Sequence, residues 1–306
     1  MVVRQHRRKG RAPAVCALAV AGVMAVGAGC SGTAGGEADG RAVTGASGAT
    51  GAPAAVVRQA ADALARAGGA EAHTSMETAA GGTRLTIRGQ GVYDFGRQLG
   101  RFKVVLPKEA SGSSGGHRPI TELLAPGALY MKHRGAGVPE DKWVRIDTTA
   151  LADGNLVTGG VTDPTAAAEL LRGAGEVRYV GRTELAGVAV SHYRGTADLG
   201  RAARDASPAS RGTMAAAAKG FEAGSGTVPF DAYLDDEGLL RKVRHRFSYA
   251  AEGPAVSVVS TMLLYGFGAR VSVELPPDED IYTGSVQQGA DGPEVRKGEA
   301  RSGEEP

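Results

Sequence analysis

The sequence predicts an α+β domain made mostly of antiparallel strands. Short runs of alternating apolar and polar residues recur from residue 83 to residue 275. Only two segments, 53–67 and 164–171, carry strong helix-boundary signals. Near the C-terminal end, Val228–Leu234 and Leu239–Ala250 flank the turn Asp235 to Gly238, the pattern of a hairpin meander.

The elements follow in order. Residues 4–11 are basic, Ala14 to Val26 is a short apolar run, and small residues follow. Thirteen residues rise only ~20 Å as a helix, less than the ~30 Å hydrocarbon core, so residues 1–29 read as a signal peptide and not as a span. Ala28, Gly29 and Cys30 resemble the lipobox of bacterial lipoproteins, in which the cysteine becomes the acylated first residue of the mature chain. Two acyl chains on Cys30 anchor a protein without a transmembrane helix. The alternative is ordinary cleavage without lipidation. Residues 31–52 are Gly, Ala, Ser and Thr with few large apolar groups, the composition of a flexible tether reaching ~25 Å. The domain is expected over 53–283, and the polar segment 284–306 as a disordered tail.

Pro53 at the first helical position and Gly68 beyond Ala67 bound a helix whose apolar stripe is Val56, Val57, Ala60 and Leu64. Strands are expected at 83–88 and 92–95, with a bend at Gly89 and Gly91, then at 101–106, 121–133 and 142–146. Asp163 as N-cap with Pro164 opens a second helix, closed by Gly173. Residues 176–182 and 188–197 form a hairpin, and the insert 198–226 carries one short helix near 213–221. Strands at 228–234, 239–250, 255–265 and 270–275 complete nine or ten strands and two principal helices.

Composition narrows the function. With 42% apolar and 22% charged residues the chain is neither wholly disordered nor a polytopic membrane protein. Two cysteines make no disulfide framework or cysteine-rich zinc site. Of 35 basic and 33 acidic residues, Arg4, Arg7, Arg8, Lys9 and Arg11 precede Cys30, so the remainder carries 30 against 33, a net of −3. That balance argues against nucleic acid as a partner.

The order of lipobox cysteine, tether, helix, meander, Asp-Pro helix and closing meander resembles actinobacterial lipoproteins of the LolA-like superfamily, the LppX/LprG group. The stretches carrying the resemblance are 163–171, 179–193 and 230–244. It implies a strongly curved antiparallel sheet, an incomplete barrel, with helices covering its concave face. It also implies an apolar cavity for lipid or glycolipid acyl chains and a place on the outer face of the cytoplasmic membrane. The residues expected to line that cavity, or equally to form plain core, are Leu85, Ile87, Phe95, Phe102, Val104, Leu129, Met131, Val188, Val190, Phe230, Val243, Phe247, Val258 and Met262. Trp143 belongs to the core or to the cavity mouth.

Catalytic motifs fail on context. The sequence 112–116 fits G-x-S-x-G, but a nucleophile elbow needs a helix next, and Pro119 and a strand follow. The glycines at 45–51 lie in the tether, not in a βαβ unit. The histidines include no H-x-x-x-H pair, and His133, His192 and His245 are placed within strands. Asp235 to Gly238 lacks the further ligands of a calcium loop and reads as a turn. Arg241, Lys242, Arg244 and Arg246 make a basic strand face. The expectation is a non-enzymatic protein with no cofactor and no metal. It binds or carries a lipid, or alternatively it is an interaction module on the same fold with no cargo.

Overall fold

The computed structural model describes residues 52–80, 82–106, 118–135, 137–157, 162–222, 224–249 and 256–284. The expected signal peptide, Cys30, the expected tether, the G-x-S-x-G stretch and the expected tail from 285 onward lie outside them.

Eleven strands form a single antiparallel sheet that does not close. The first half, β1 (Gly69–Ala80), β2 (Thr83–Asp94), β3 (Leu99–Val105), β4 (Ile120–Ala125), β5 (Ala128–Lys132) and β6 (Trp143–Asp147), is a meander. The second half is a meander too: β7 (Ala174–Leu185), β8 (Val188–Asp198), β9 (Thr227–Leu234), β10 (Leu240–Tyr249) and β11 (Val256–Tyr265). The halves join where the first strand meets the last, Glu71 opposite Tyr265 through Ala79 opposite Ser257. The outer edges are β6 and β7. This is an incomplete barrel with helices on one face, the fold class the sequence predicts.

The Asp-Pro signal operates as expected. The Asp163 carboxylate accepts from the Thr165 and Ala166 amides at 2.7 and 3.3 Å, starting α3 (Pro164–Leu170). A 3-10 turn, Leu171–Gly173, leads from it into β7. The expected N-terminal helix is divided at Gln59 into α1 (Pro53–Arg58) and α2 (Ala60–Ala67), and Gly68 with φ +75° stops it.

Several expectations are corrected. The sequence predicts no strand over 69–80, yet β1 sits at the centre of the sheet. Its Glu, Ala, Ser and Met have weak strand preference, and two full ladders outweigh that preference. The strands expected at 83–88 and 92–95 are one continuous β2, paired without a break through Gly89 and Gly91. A Cβ on Gly91 would run into the Arg101 carbonyl, so the bare position lets β2 and β3 approach closely there. Residues 121–133 are a hairpin, turning at Pro126 and Gly127. His133 lies beyond β5 with φ +64°. The insert holds two helices, α4 (Leu199–Asp205) and α5 (Arg211–Gly220). Residues 270–275 form no ladder. That chain continues to the sheet edge, where Ile281 bridges Trp143 in parallel.

Candidate ligand-binding face

The concave face of the sheet and the helices over it enclose two apolar clusters. The larger gathers α1, α2, the C-terminal half of α3 and strands from both meanders. It contains eight of the expected lining residues: Phe95, Phe102, Val104, Leu129, Met131, Phe230, Val243 and Met262. Ile87 packs half-buried against it. The smaller lies under α4 and α5 and contains Phe247 and Val258. Leu85 and Val188 are half-buried and belong to neither cluster. Val190 is buried outside both, in phase along β8 with His192 and Arg194 and not with Tyr193. Trp143 is half-buried on the edge strand, its ring 5.5 Å from the Lys132 ammonium.

Side chains of the protein itself fill the larger cluster. Tyr93, Phe102, Phe230, Leu124 and Leu129 are fully buried there. A pocket of about 30 Å³ lined by Asn155, Asp163, Thr165 and Met214 has room for a water or two and not for an acyl chain. The smaller cluster differs, because a pocket of about 470 Å³ opens onto it at the rim. Phe221, at the end of α5, and Phe247 meet there with ring centroids 5.6 Å apart, joined by Val228, Ser257 and Arg246. Its volume is that of a small-molecule site, which spans about 300–1,000 Å³.

Polar groups are set into this interior. Tyr93 donates to Asp163 at 2.9 Å, and the Thr162 and Ser260 hydroxyls pair at 2.8 Å. Burial raises both the Tyr93 hydroxyl and the Asp163 carboxyl above their usual pKa ranges. His245, on the concave side of β10 beside Phe230 and Phe247, is 1% exposed, and its Nε2 has no hydrogen-bond partner. Burial, reinforced by the Arg246 charge, pushes its pKa down to about 3, so the ring is neutral. The sequence predicts His245 as an ordinary strand histidine. Only its alternation with Val243 and Phe247 hinted at an inward position.

The helices over this face are tied to one another. Arg172 donates to the buried Glu169 at 2.7 Å and to Asp62 of α2 at 2.6 Å, and Glu169 also accepts from the Ser207 amide at 3.1 Å. Arg58 reaches the Ala174 carbonyl at 2.9 Å. No described helix is long and apolar enough to cross a membrane. Among the described residues no group of three or more His, Cys, Asp or Glu is placed to hold a metal. Asp235 closes its turn by accepting from the Glu237 and Leu239 amides, as a hairpin turn requires.

No family model matches the chain, and no curated protein matches it in sequence. Solved structures do resemble it. The Mycobacterium tuberculosis lipoprotein LppX is 13% identical over 72% of this chain and 97% of its own, with a TM-score of 0.41. LprF from Mycobacterium bovis is 13% identical over 73% and 96%, TM-score 0.37. A LolA-superfamily protein from Nitrosomonas europaea is 11% identical over 73% and 94%, TM-score 0.33. The fold class itself stands on the strand order and register: one open antiparallel sheet of two meanders with helices on one face.

Proposed function

We propose that the chain is a non-catalytic lipoprotein of the cell envelope. Cys30 is acylated and anchors it to the outer face of the cytoplasmic membrane, residues 31–52 are the tether, and residues 53–283 form the domain. The domain binds a lipid or glycolipid, and the observation that carries this reading is the rim pocket of about 470 Å³ opening onto the smaller apolar cluster. Phe221, Val228 and Phe247 offer an acyl chain a dry wall, and Arg246, which also holds Asp231 at 2.7 Å, lines the pocket with a positive charge. A longer chain enters further only if α5 lifts from the sheet. His245, with an unused ring nitrogen between the two clusters, then meets a polar linkage of the ligand.

The test is native mass spectrometry of the purified chain, followed by uptake of a fluorescent fatty acid. A stoichiometric lipid adduct, or saturable uptake that Ser257→Trp abolishes, is expected. Ser257 is exposed at the pocket, so an indole there fills it without entering the core. A clean apo mass with no uptake overturns the reading. The self-filled larger cluster favours one other function, an interaction module that uses this fold without cargo.

A further inference from the structure

The opposite, convex face of the sheet carries an organised charge pattern. Register places Lys103, Gln90, His73, Leu263 and Lys242 in one row across five strands. The adjacent row runs Val105, Arg88, Ser75, Thr261 and Arg244. Two cations on β2 and β3 and two on β10 therefore flank β1 and β11, which contribute no Lys, Arg, Asp or Glu to these two rows. At about 4.8 Å per strand, Lys103 and Lys242 stand roughly 19 Å apart. Beyond β10, Arg194 and Arg246 both bind Asp231 at 2.7 Å, so that trio adds one net positive charge.

Among the described residues Arg88, Lys103, Lys242 and Arg244 have no carboxylate partner. The Arg244 Nε–H is buried and has no acceptor. The carboxylates in phase with these rows are Glu71 and Glu77 of β1, one row beyond on either side, Asp94 at the end of β2, and Asp231, which Arg194 and Arg246 already hold. The apolar groups are equally specific. Val105 is 57% and Leu263 38% exposed, and an open groove of about 580 Å³ runs beside them, walled by Arg88 and Lys103. A solvated strand face needs no exposed leucine between its cations. Arg241 does not belong to the face, because a bulge between Leu240 and Lys242 turns it to Asp235 at 2.6 Å and onto the Phe267 ring.

We propose that this face docks on an anionic lipid bilayer, with headgroup phosphates at the flanking cations and Leu263 and Val105 dipping into the interface. Cations around a shallow apolar centre match a bilayer, which offers negative charge and a non-polar layer together. The proposal relies on the preceding section only for proximity, since a tether reaching ~25 Å allows contact. Docking would place the convex face on the membrane and leave the helices facing away from it.

The test uses the chain from residue 30 onward carrying Cys30→Ala, which keeps every described residue and removes any acyl contribution. It is sedimented with vesicles of phosphatidylcholine alone and of phosphatidylcholine with phosphatidylglycerol. Binding is expected only to the anionic vesicles, and it should weaken in high salt. Arg88→Gln with Lys103→Gln should lower it roughly 25-fold, at about fivefold for each cation. Arg201→Gln with Arg204→Gln, an equal charge change on α4, should leave it within about twofold, since those side chains lie off the docking face. Circular dichroism confirms folding of each variant. Equal binding to both vesicles, no binding, or equal losses from the two double variants would overturn the proposal. Uptake of the fluorescent fatty acid, read on the same protein without vesicles, reports the pocket alone, so a failure of docking and a failure of lipid cargo are told apart.

Discussion

His245 and Asp231 lie close together in the sheet and respond oppositely to their surroundings. Asp231 sits opposite Arg244 on β10, next to His245 in register. Burial would raise the Asp231 carboxyl, but hydrogen bonds from Arg194, Arg246 and His192 outweigh burial and hold its pKa at about 2. Its stabilising effect is therefore present above pH 4 and fades only as pH falls toward 2. His245 is a base with a folded pKa of about 3, below the ordinary 6.5. The unfolded chain takes up the proton first, so stability is full above pH 6.5 and declines as pH falls from there toward 3. Denaturant titrations should lose about 2 kcal/mol between pH 7 and pH 5 from this residue. His245→Leu should flatten that slope and leave stability at pH 7 unchanged or higher, because Nε2 has no partner to lose. An unchanged slope in the variant would show that other groups set it.

At the scale of elements, the helical cover depends on Arg172. Glu169 has a side chain 3% exposed, whereas that of Asp62 is 53% exposed, and Arg172 bridges the two. Removing the bridge in Arg172→Ala leaves a buried carboxylate and should cost about 3–5 kcal/mol. Removing the exposed end in Asp62→Ala should cost about 0–1 kcal/mol. Urea titrations of both variants check this, and similar losses would mean that Glu169 finds another partner. The clamp joins α2, α3 and the segment after α4, while α5 is packed over the rim pocket without a share in it. Lifting α5 to admit a ligand would leave this clamp intact but part α5 from α4, against which it packs.

For the whole molecule, the two faces of the sheet carry different chemistry. The concave face is apolar and covered, and the convex face is basic and open. The proposed anchor at Cys30 would add a third feature. Cys30→Ala should release the protein from the membrane fraction into the medium or a high-salt wash. Retention through a salt wash and recovery only in detergent would refute acyl anchoring. If the docking face acts as proposed, part of the unanchored protein should remain with membranes at low salt and leave as salt rises.

How much of this was legible in the sequence depends on range. The α+β class, the Asp163 cap, the Asp235 turn and the Pro53 start could be read, because each rests on contacts within a few residues. Ten of the fourteen expected lining residues fall in the two apolar clusters, because strand alternation fixes which side chains share a face. β1 could not be read. Its residues become a strand only because β2 and β11 pair with it, and β11 is nearly two hundred residues away in sequence. The orphan nitrogen of His245, the rim pocket and the rows of cations from β3 to β10 are likewise products of register between distant strands. Local chemistry determined where elements begin and end. Tertiary pairing decided which face each side chain occupies and whether any space remained beside it, because burial and volume belong to the assembled sheet and not to any one segment.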